Sequence, residues 1–311
     1  MVSATSKRDS YLGWKIDYAT PKGEPGFAAP DSVAWQVYKN QIALGIGGIA
    51  AVLLEFADAR IRSGVWDHST YKVDPIGRSE RTGIAAMVGV YGPQSAARRV
   101  IQGVTNMHTK VVGNTPKGDA YKALDVELLD WVSATAAYGF LTAYHRFVRP
   151  LSAEQQKSFL EGGHNTARLY GVQNPISSID DFNAMLAKLE PRFEPHPINS
   201  EFLDIVKTRA QGSAPKAMGS AIVNAAVSIL PPSVRQTLEL GPEYDLTWKG
   251  RMFVRFLGRM ADRKVDLNSP AAQASERLGL PRDFVWKSEN ERKRILANLD
   301  SQGEGLVAEG A

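Results

Sequence analysis

From Asp31 to about Arg263, apolar side chains recur at spacings of three and four, and period-two alternation between turn residues is almost absent. Such a pattern buries one stripe of a helix and cannot line one face of a strand. The chain is therefore expected to be all-α, a single multi-helix domain. Capping residues, glycines and prolines cut the pattern into segments. Pro30-Asp31 precede a helix carrying Val33, Trp35, Val37 and Tyr38, and a Gly-rich helix is expected over 42–63. Asp74-Pro75 supplies an N-cap and a proline at the first helical position, opening a helix to about Tyr91. Gly92-Pro93 ends it and starts a helix over 94–112 that stops at Gly113-Asn114. A polar loop over 115–124 leads to a helix over 125–148, blocked by Pro150. Ser152 with Gln155 reads as a capping box, and Ser178 caps a helix over 179–190. Shorter helices are expected over 201–210, 216–230, 233–240 and 248–263. The chain divides into a polar extension (1–29), a helical domain (30–263) and a C-terminal extension (264–311), with a small, polar tail from Ser301 expected to lack fixed structure.

Composition narrows the chemistry. A hydrophobic fraction of 43% and a charged fraction of 23% over 311 residues are those of a folded chain, neither disordered nor embedded in a membrane. The absence of Cys removes disulfides, thiolate metal sites, iron–sulfur clusters and cysteine nucleophiles together. A net charge of +4 does not make a nucleic-acid-binding face. The basic stretch Arg251 to Arg263 alternates with apolar residues, as the solvated side of an amphipathic helix does. The apolar run Ile42 to Leu54 is too short to cross a bilayer and is closed by Glu55 and Asp58, so no stable membrane insertion is expected. Met1 to Gly26 hold no apolar leader, which points to cytoplasmic residence. There is no Gly-x-Ser-x-Gly, no P-loop, no dinucleotide fingerprint on a strand and no His-Glu-x-x-His, so hydrolase and nucleotide-binding readings have no support.

Chemistry has to come from five histidines, the carboxylates, the arginines or a bound group. His108 lies in a stripe of Ala97, Val100, Ile101, Val104, Met107 and Val111, so it is expected to point inward. An inward imidazole needs partners for its ring nitrogens. A hydrogen-bonded core histidine meets that need, and so does a metal or haem iron on one nitrogen with an acceptor on the other. Arg78, Arg81 and Thr82, at i, i+3 and i+4, share the face of Ala85, Val88 and Gly89. Guanidinium groups there need anionic partners, either Asp67, Asp74 or Glu80, or the acidic groups of a ligand. Gly45, Gly47 and Gly48 each cost a helix up to about 1 kcal/mol against alanine. Close packing of another helix or of a flat cofactor would offset that. Glu161-Gly-Gly-His164 has the Glu-x-x-His spacing of di-iron bundles, but no second copy exists and paired glycines make a poor ligand platform. His68, in Asp67-His68-Ser69, is the second choice of ligand, and His145 and His196 are given no role.

Several strings, in order along the chain, resemble the family that holds the fungal oxygenase MpaB and the bacterial latex-clearing rubber oxygenases. These are Pro30-Asp31-Ser32-Val33-Ala34-Trp35, the Gly-rich stretch 44–54, Asp67-His68-Ser69, Asp74-Pro75-Ile76-Gly77-Arg78, Arg81-Thr82, Met107-His108, 129–135 and Tyr144-His145-Arg146-Phe147. The similarity covers about residues 30–262. It implies an all-helical domain enclosing a haem b pocket, with His108 as the axial ligand holding the iron. It also implies that Arg81 stands near the distal face, where rubber oxygenases have lysine, with Arg78 and Thr82 as pocket residues. On that reading Arg78, Arg81 and Thr82 carry the catalytic roles, and His108, Arg78 and Gly48 bind the haem.

The implied activity is that of a haem-dependent oxygenase using dioxygen, acting on a small, apolar, isoprenoid-like molecule by oxygen insertion or C=C cleavage. The lack of a leader separates the chain from secreted latex-clearing enzymes and favours a small intracellular compound over polymeric rubber. Two positions depart from the pattern. Many family members have Ala-His-Pro where this chain has Ala57-Asp58-Ala59, and Trp-Val-His where it has Trp131-Val132-Ser133. Ser133 lies beside Leu129, Val132, Ala136 and Phe140 at helical spacing, so losing an imidazole there removes an acid–base group or second ligand. A non-enzymatic haem- or apolar-ligand-binding protein of the same fold is the alternative.

Overall fold

The structure, a computed structural model, describes residues 10–11, 14–211 and 216–308. Helices dominate it, as the periodicity requires, with two short antiparallel strand pairs among the described residues. Strands β1 (Ser10–Tyr11) and β2 (Trp14–Lys15) pair near the N-terminus. Helices α1 (Val33–Tyr38), α2 (Gln41–Phe56), α3 (Ala59–His68), α4 (Pro75–Tyr91) and α5 (Gln94–His108) follow. A hairpin of β3 (Val112–Asn114) and β4 (Ala120–Lys122) leads to α6 (Val126–Phe147). Then come α7 (Ala153–Gly162), α8 (His164–Leu169), α9 (Ile179–Leu189), α10 (Ile198–Gln211) and α11 (Lys216–Val227). The chain continues through α12 (Pro232–Thr237), α13 (Trp248–Arg263), α14 (Pro270–Arg277) and α15 (Glu289–Ala308).

Capping chemistry sets many of these limits. Ser152 and Ser178 each accept from the third residue of α7 and α9, whose Gln155 and Asp181 side chains bond back. Asp74 accepts from Gly77 N at 2.8 Å, ahead of Pro75. The spine of the molecule is the packing of α2 against α6. They cross where two glycines meet, and a Cβ at Gly47 would lie 2.6 Å from the Gly139 carbonyl oxygen. Helix packing therefore explains Gly47. Trp131 and Tyr138 of α6 are buried, Trp131 donating to the Leu54 carbonyl at 3.3 Å and Tyr138 to that of Ile229 at 2.7 Å.

Several boundaries differ from expectation. The helix expected over 42–63 is broken at Ala57-Asp58. Asp58, 1% exposed, caps α3 by accepting from Arg60 N at 2.8 Å and pairs with the Arg60 guanidinium at 2.7 Å. The freed Ala57 carbonyl accepts from Glu194 N at 3.1 Å, so the break leaves no orphan there. The helix expected over 94–112 ends at His108. The polar loop after it is a hairpin whose turn runs from Thr115 to Gly118, with Gly118 at φ 93°, where a side chain would be strained.

Both flanking segments contribute to the core. Ile16 and Tyr18 are buried at one end, and Ala271, Ala274 and Val285 at the other. The Arg277 guanidinium of α14 joins them, donating to the carbonyls of Tyr18 at 2.5 Å, Glu24 at 2.8 Å and Tyr91 at 2.9 Å. From Ser301 the backbone continues α15 to Ala308, because no proline interrupts it. Residues 1–9 and 12–13 of the N-terminal segment and 309–311 of the tail lie outside the described residues.

Candidate functional site

Most of α2 is buried, but one stripe is not. Gly45 is exposed and Gly48, Val52 and Glu55 are half-buried, at i, i+3, i+7 and i+10 on one helix face. Among the described residues a Cβ at Gly45 would meet nothing within 4 Å, and one at Gly48 only Phe140 Cε1 at 3.8 Å. Unlike Gly47, neither glycine is required by protein packing. Helix α4 packs on α1, α5 and α14 and has little direct contact with α2. Charge spans that gap, since Arg78 of α4 lies within electrostatic reach of Glu55 on α2 and His108 on α5.

These groups have unusual electrostatics. Burial raises the Glu55 carboxyl to about 7, against the opposing pull of Arg78 and a hydrogen bond donated by the Thr135 hydroxyl at 3.3 Å. Arg78 is pushed below the ordinary arginine range by burial, which Glu55 and Tyr71 oppose. Its guanidinium has no hydrogen bond or ion-pair contact among the described residues. The buried Tyr71 hydroxyl likewise has no hydrogen-bond partner among the described residues, and burial raises that phenol to about 12.

His108 is half-buried, and burial and then Arg78 lower its affinity for a proton, so it is neutral at pH 7. The other four histidines each bond through a ring nitrogen: His68 to Tyr121 Oη, His145 from Leu151 N, His164 to the Ile176 carbonyl and His196 from Ile198 N. The His108 ring has no such partner among the described residues.

The remaining candidates are used elsewhere. Arg81 donates to Thr70 Oγ1 at 2.5 Å and stands 3.6 Å from Asp74 Oδ2, so a structural carboxylate serves it. Thr82, expected on the inward face, is exposed and bonds back to the Arg78 carbonyl at 3.1 Å. Met107, placed in the apolar stripe, is exposed because α5 buries its face chiefly over Ala97, Val100 and Ile101. His68 is exposed and lies edge-on to Tyr121. Asp58 is the buried cap already described. The inward stripe of α6 holds Leu128, Trp131, Ala134, Thr135 and Tyr138, leaving Val132 exposed and Ser133 half-buried. Thr135, not Ser133, is the hydroxyl beside Glu55. Glu161 is exposed and 3.7 Å from Lys157, while His164 bonds the Ile176 carbonyl, so Glu-x-x-His forms no ligand pair.

Glu55, Thr135 and Tyr71 were not candidates from the sequence. The available signal was spacing, because Glu55 falls seven residues after Gly48 and so shares its face. Among the described residues no three His, Asp or Glu side chains gather closely enough to hold a metal ion by themselves. A porphyrin brings four nitrogens and needs one protein ligand. A neutral, unbonded His108, an unpaired Arg78 and an orphaned Tyr71 hydroxyl fit a group that offers iron, carboxylates and acceptors.

Residues 35–262 match the family model described as ER-bound oxygenase mpaB/B'/Rubber oxygenase, catalytic domain. No curated protein and no solved structure matches the chain.

Proposed function

Since this chain belongs to the mpaB/rubber oxygenase catalytic-domain family, we propose that it is a haem b-dependent oxygenase acting on a small, apolar, isoprenoid-like molecule. The observation that carries the reading is His108, the one histidine whose ring nitrogens are left without a hydrogen-bond partner among the described residues. In this reading His108 holds the iron through a neutral ring nitrogen, and Arg78 pairs with a haem carboxylate. When bound, a haem held there would supply the oxygen chemistry, while the protein would supply its orientation and the polarity around it. Gly45 and Gly48 leave room for a flat or apolar group along α2, with Gly48 against the cofactor. Glu55, with its proton affinity near neutrality, accepts or donates a proton in that space, oriented by the Thr135 hydroxyl. Arg81 and Thr82 act from the rim, where Arg81 is oriented by Thr70 and Asp74.

The test is spectroscopic first. Protein produced with a haem precursor is expected to show a Soret band that His108→Ala abolishes or shifts, and an unchanged spectrum overturns the ligand assignment. Product analysis comes second. Reduced, haem-loaded protein under oxygen should convert members of a panel of isoprenoid alkenes. Haem binding without conversion would leave the non-enzymatic binding protein, which the departures at Asp58 and Ser133 favour.

A further inference from the structure

Along the outward arc of α13 two i, i+4 ridges run side by side. Trp248, Met252, Phe256 and Met260 form one, all exposed, with Trp248 at 72% and Phe256 at 59%. Arg251, Arg255, Arg259 and Arg263 form the other. The helix cannot roll to hide either ridge, because its inner face is fixed. A Cβ at Gly258 would lie 2.7 Å from the Phe147 carbonyl oxygen, Asn40 donates to the Gly258 carbonyl at 2.9 Å, and Lys39 lies 3.1 Å from Asp262 Oδ1. Asp262 is the one acidic residue of α13, and Lys39 occupies it. Among the described residues no ion pair serves any of the four ridge arginines. Like charges at i, i+4 repel, so the ladder disfavours its own helix until an anionic surface neutralises it.

We propose that the outward face of α13 docks on an anionic lipid bilayer, lying in the plane of the interface. The apolar ridge enters the boundary of the acyl chains and the arginines pair with lipid phosphates, their stems lying along the apolar side chains. Charge complementarity selects this occupant. A second copy placed symmetrically on the face would bring two arginine ladders together with no carboxylate between them. A single-stranded nucleic acid would stack its bases on aromatic rings, whereas alternate positions of this ridge are methionines. The convex face of a helix suits a planar surface. Exposed Val265, next to Lys264, extends the same apolar and basic character one step past the end of the helix, before Asp266 and exposed Leu267.

Co-sedimentation of the full chain with phosphatidylcholine vesicles, with and without phosphatidylserine, tests this. The chain should pellet with the anionic vesicles and remain in solution with the neutral ones. Arg259→Gln with Arg263→Gln should lower partition roughly tenfold or more, since each basic side chain near such a surface contributes about fivefold. Met252→Ser with Phe256→Ser should reduce it comparably, both variants keeping the wild-type circular dichroism and thermal midpoint. Three results would overturn the proposal: no pelleting with anionic vesicles, pelleting that neither variant weakens, or a solution dimer that Phe256→Ser dissociates. Tighter binding of a single-stranded RNA than of anionic vesicles would assign the face to nucleic acid and overturn it too.

Discussion

Glu55 illustrates how one side chain acquires properties from its surroundings. In the fold it exchanges its proton at about 7, against an ordinary value of 4.5, so between those values the folded chain holds a proton that the unfolded chain has released. Its contribution to stability is fully present below about 4.5 and is lost as pH rises through about 7. The full shift corresponds to on the order of 3 kcal/mol. Glu55→Gln imitates the protonated form at every pH. The thermal midpoint of the wild type should therefore fall relative to that of Glu55→Gln across this window, whereas parallel curves would contradict the raised carboxyl. His108 shifts in the other sense: burial and Arg78 disfavour its charged form, and an imidazole binds a metal only when neutral. The buried Tyr71 hydroxyl is costly without a partner, and burial of the nearby Arg78 guanidinium is costly without a counter-charge in contact. Binding a group that satisfies them should raise the thermal midpoint, so the haem-loaded protein is expected to unfold at a higher temperature than the haem-free one.

At the scale of the element, two neighbouring glycines of α2 have different physical reasons for being glycine. A Cβ at Gly47 would meet backbone of α6, which cannot move aside as a flexible side chain can. Gly47→Ala should destabilise the fold by about 1–3 kcal/mol or more, measured by denaturant unfolding. Gly48 has only ordinary contact with Phe140, so Gly48→Ala should leave stability unchanged or raise it by up to about 1 kcal/mol. Under the proposed function the same substitution should weaken haem uptake. A Gly48→Ala protein as unstable as Gly47→Ala would show that packing, not a cofactor, requires both. The break between α2 and α3 has a similarly local cause. Asp58 satisfies the start of α3 and the Arg60 guanidinium at once, which an uninterrupted helix at that position could not do.

For the whole molecule, the family match ends at residue 262 while the core does not. Ala271, Ala274 and Val285 pack into the same core as Ile16 and Tyr18, and Arg277 binds three carbonyls drawn from the N-terminal segment and the end of α4. Removing that guanidinium leaves these acceptors unpaired in the interior. Arg277→Met should lower stability by at least about 3 kcal/mol and make residues 16–29 the first site of limited proteolysis. A chain ending at residue 263 should aggregate or remain expanded, as read by size-exclusion chromatography; a monomeric product with a sharp thermal transition would show that the flanks are dispensable.

The sequence by itself determined the helical class, the caps at Asp74, Ser152 and Ser178, and the candidacy of His108 and Arg78. Each depends on local chemistry: a 3.6-residue period, a side chain that accepts from the next turn, a proline that cannot donate, a motif string. Tertiary structure decided which half-turn each polar residue faces. Thr82 and Met107 face outward, and Thr135 takes the place expected of Ser133, because a register error of one or two residues rotates a side chain by 100° or more about a helix. It also brought Glu55, Arg78 and His108 together from α2, α4 and α5. Their altered proton affinities arise from burial and from charges far away in sequence, and no local pattern encodes such neighbours.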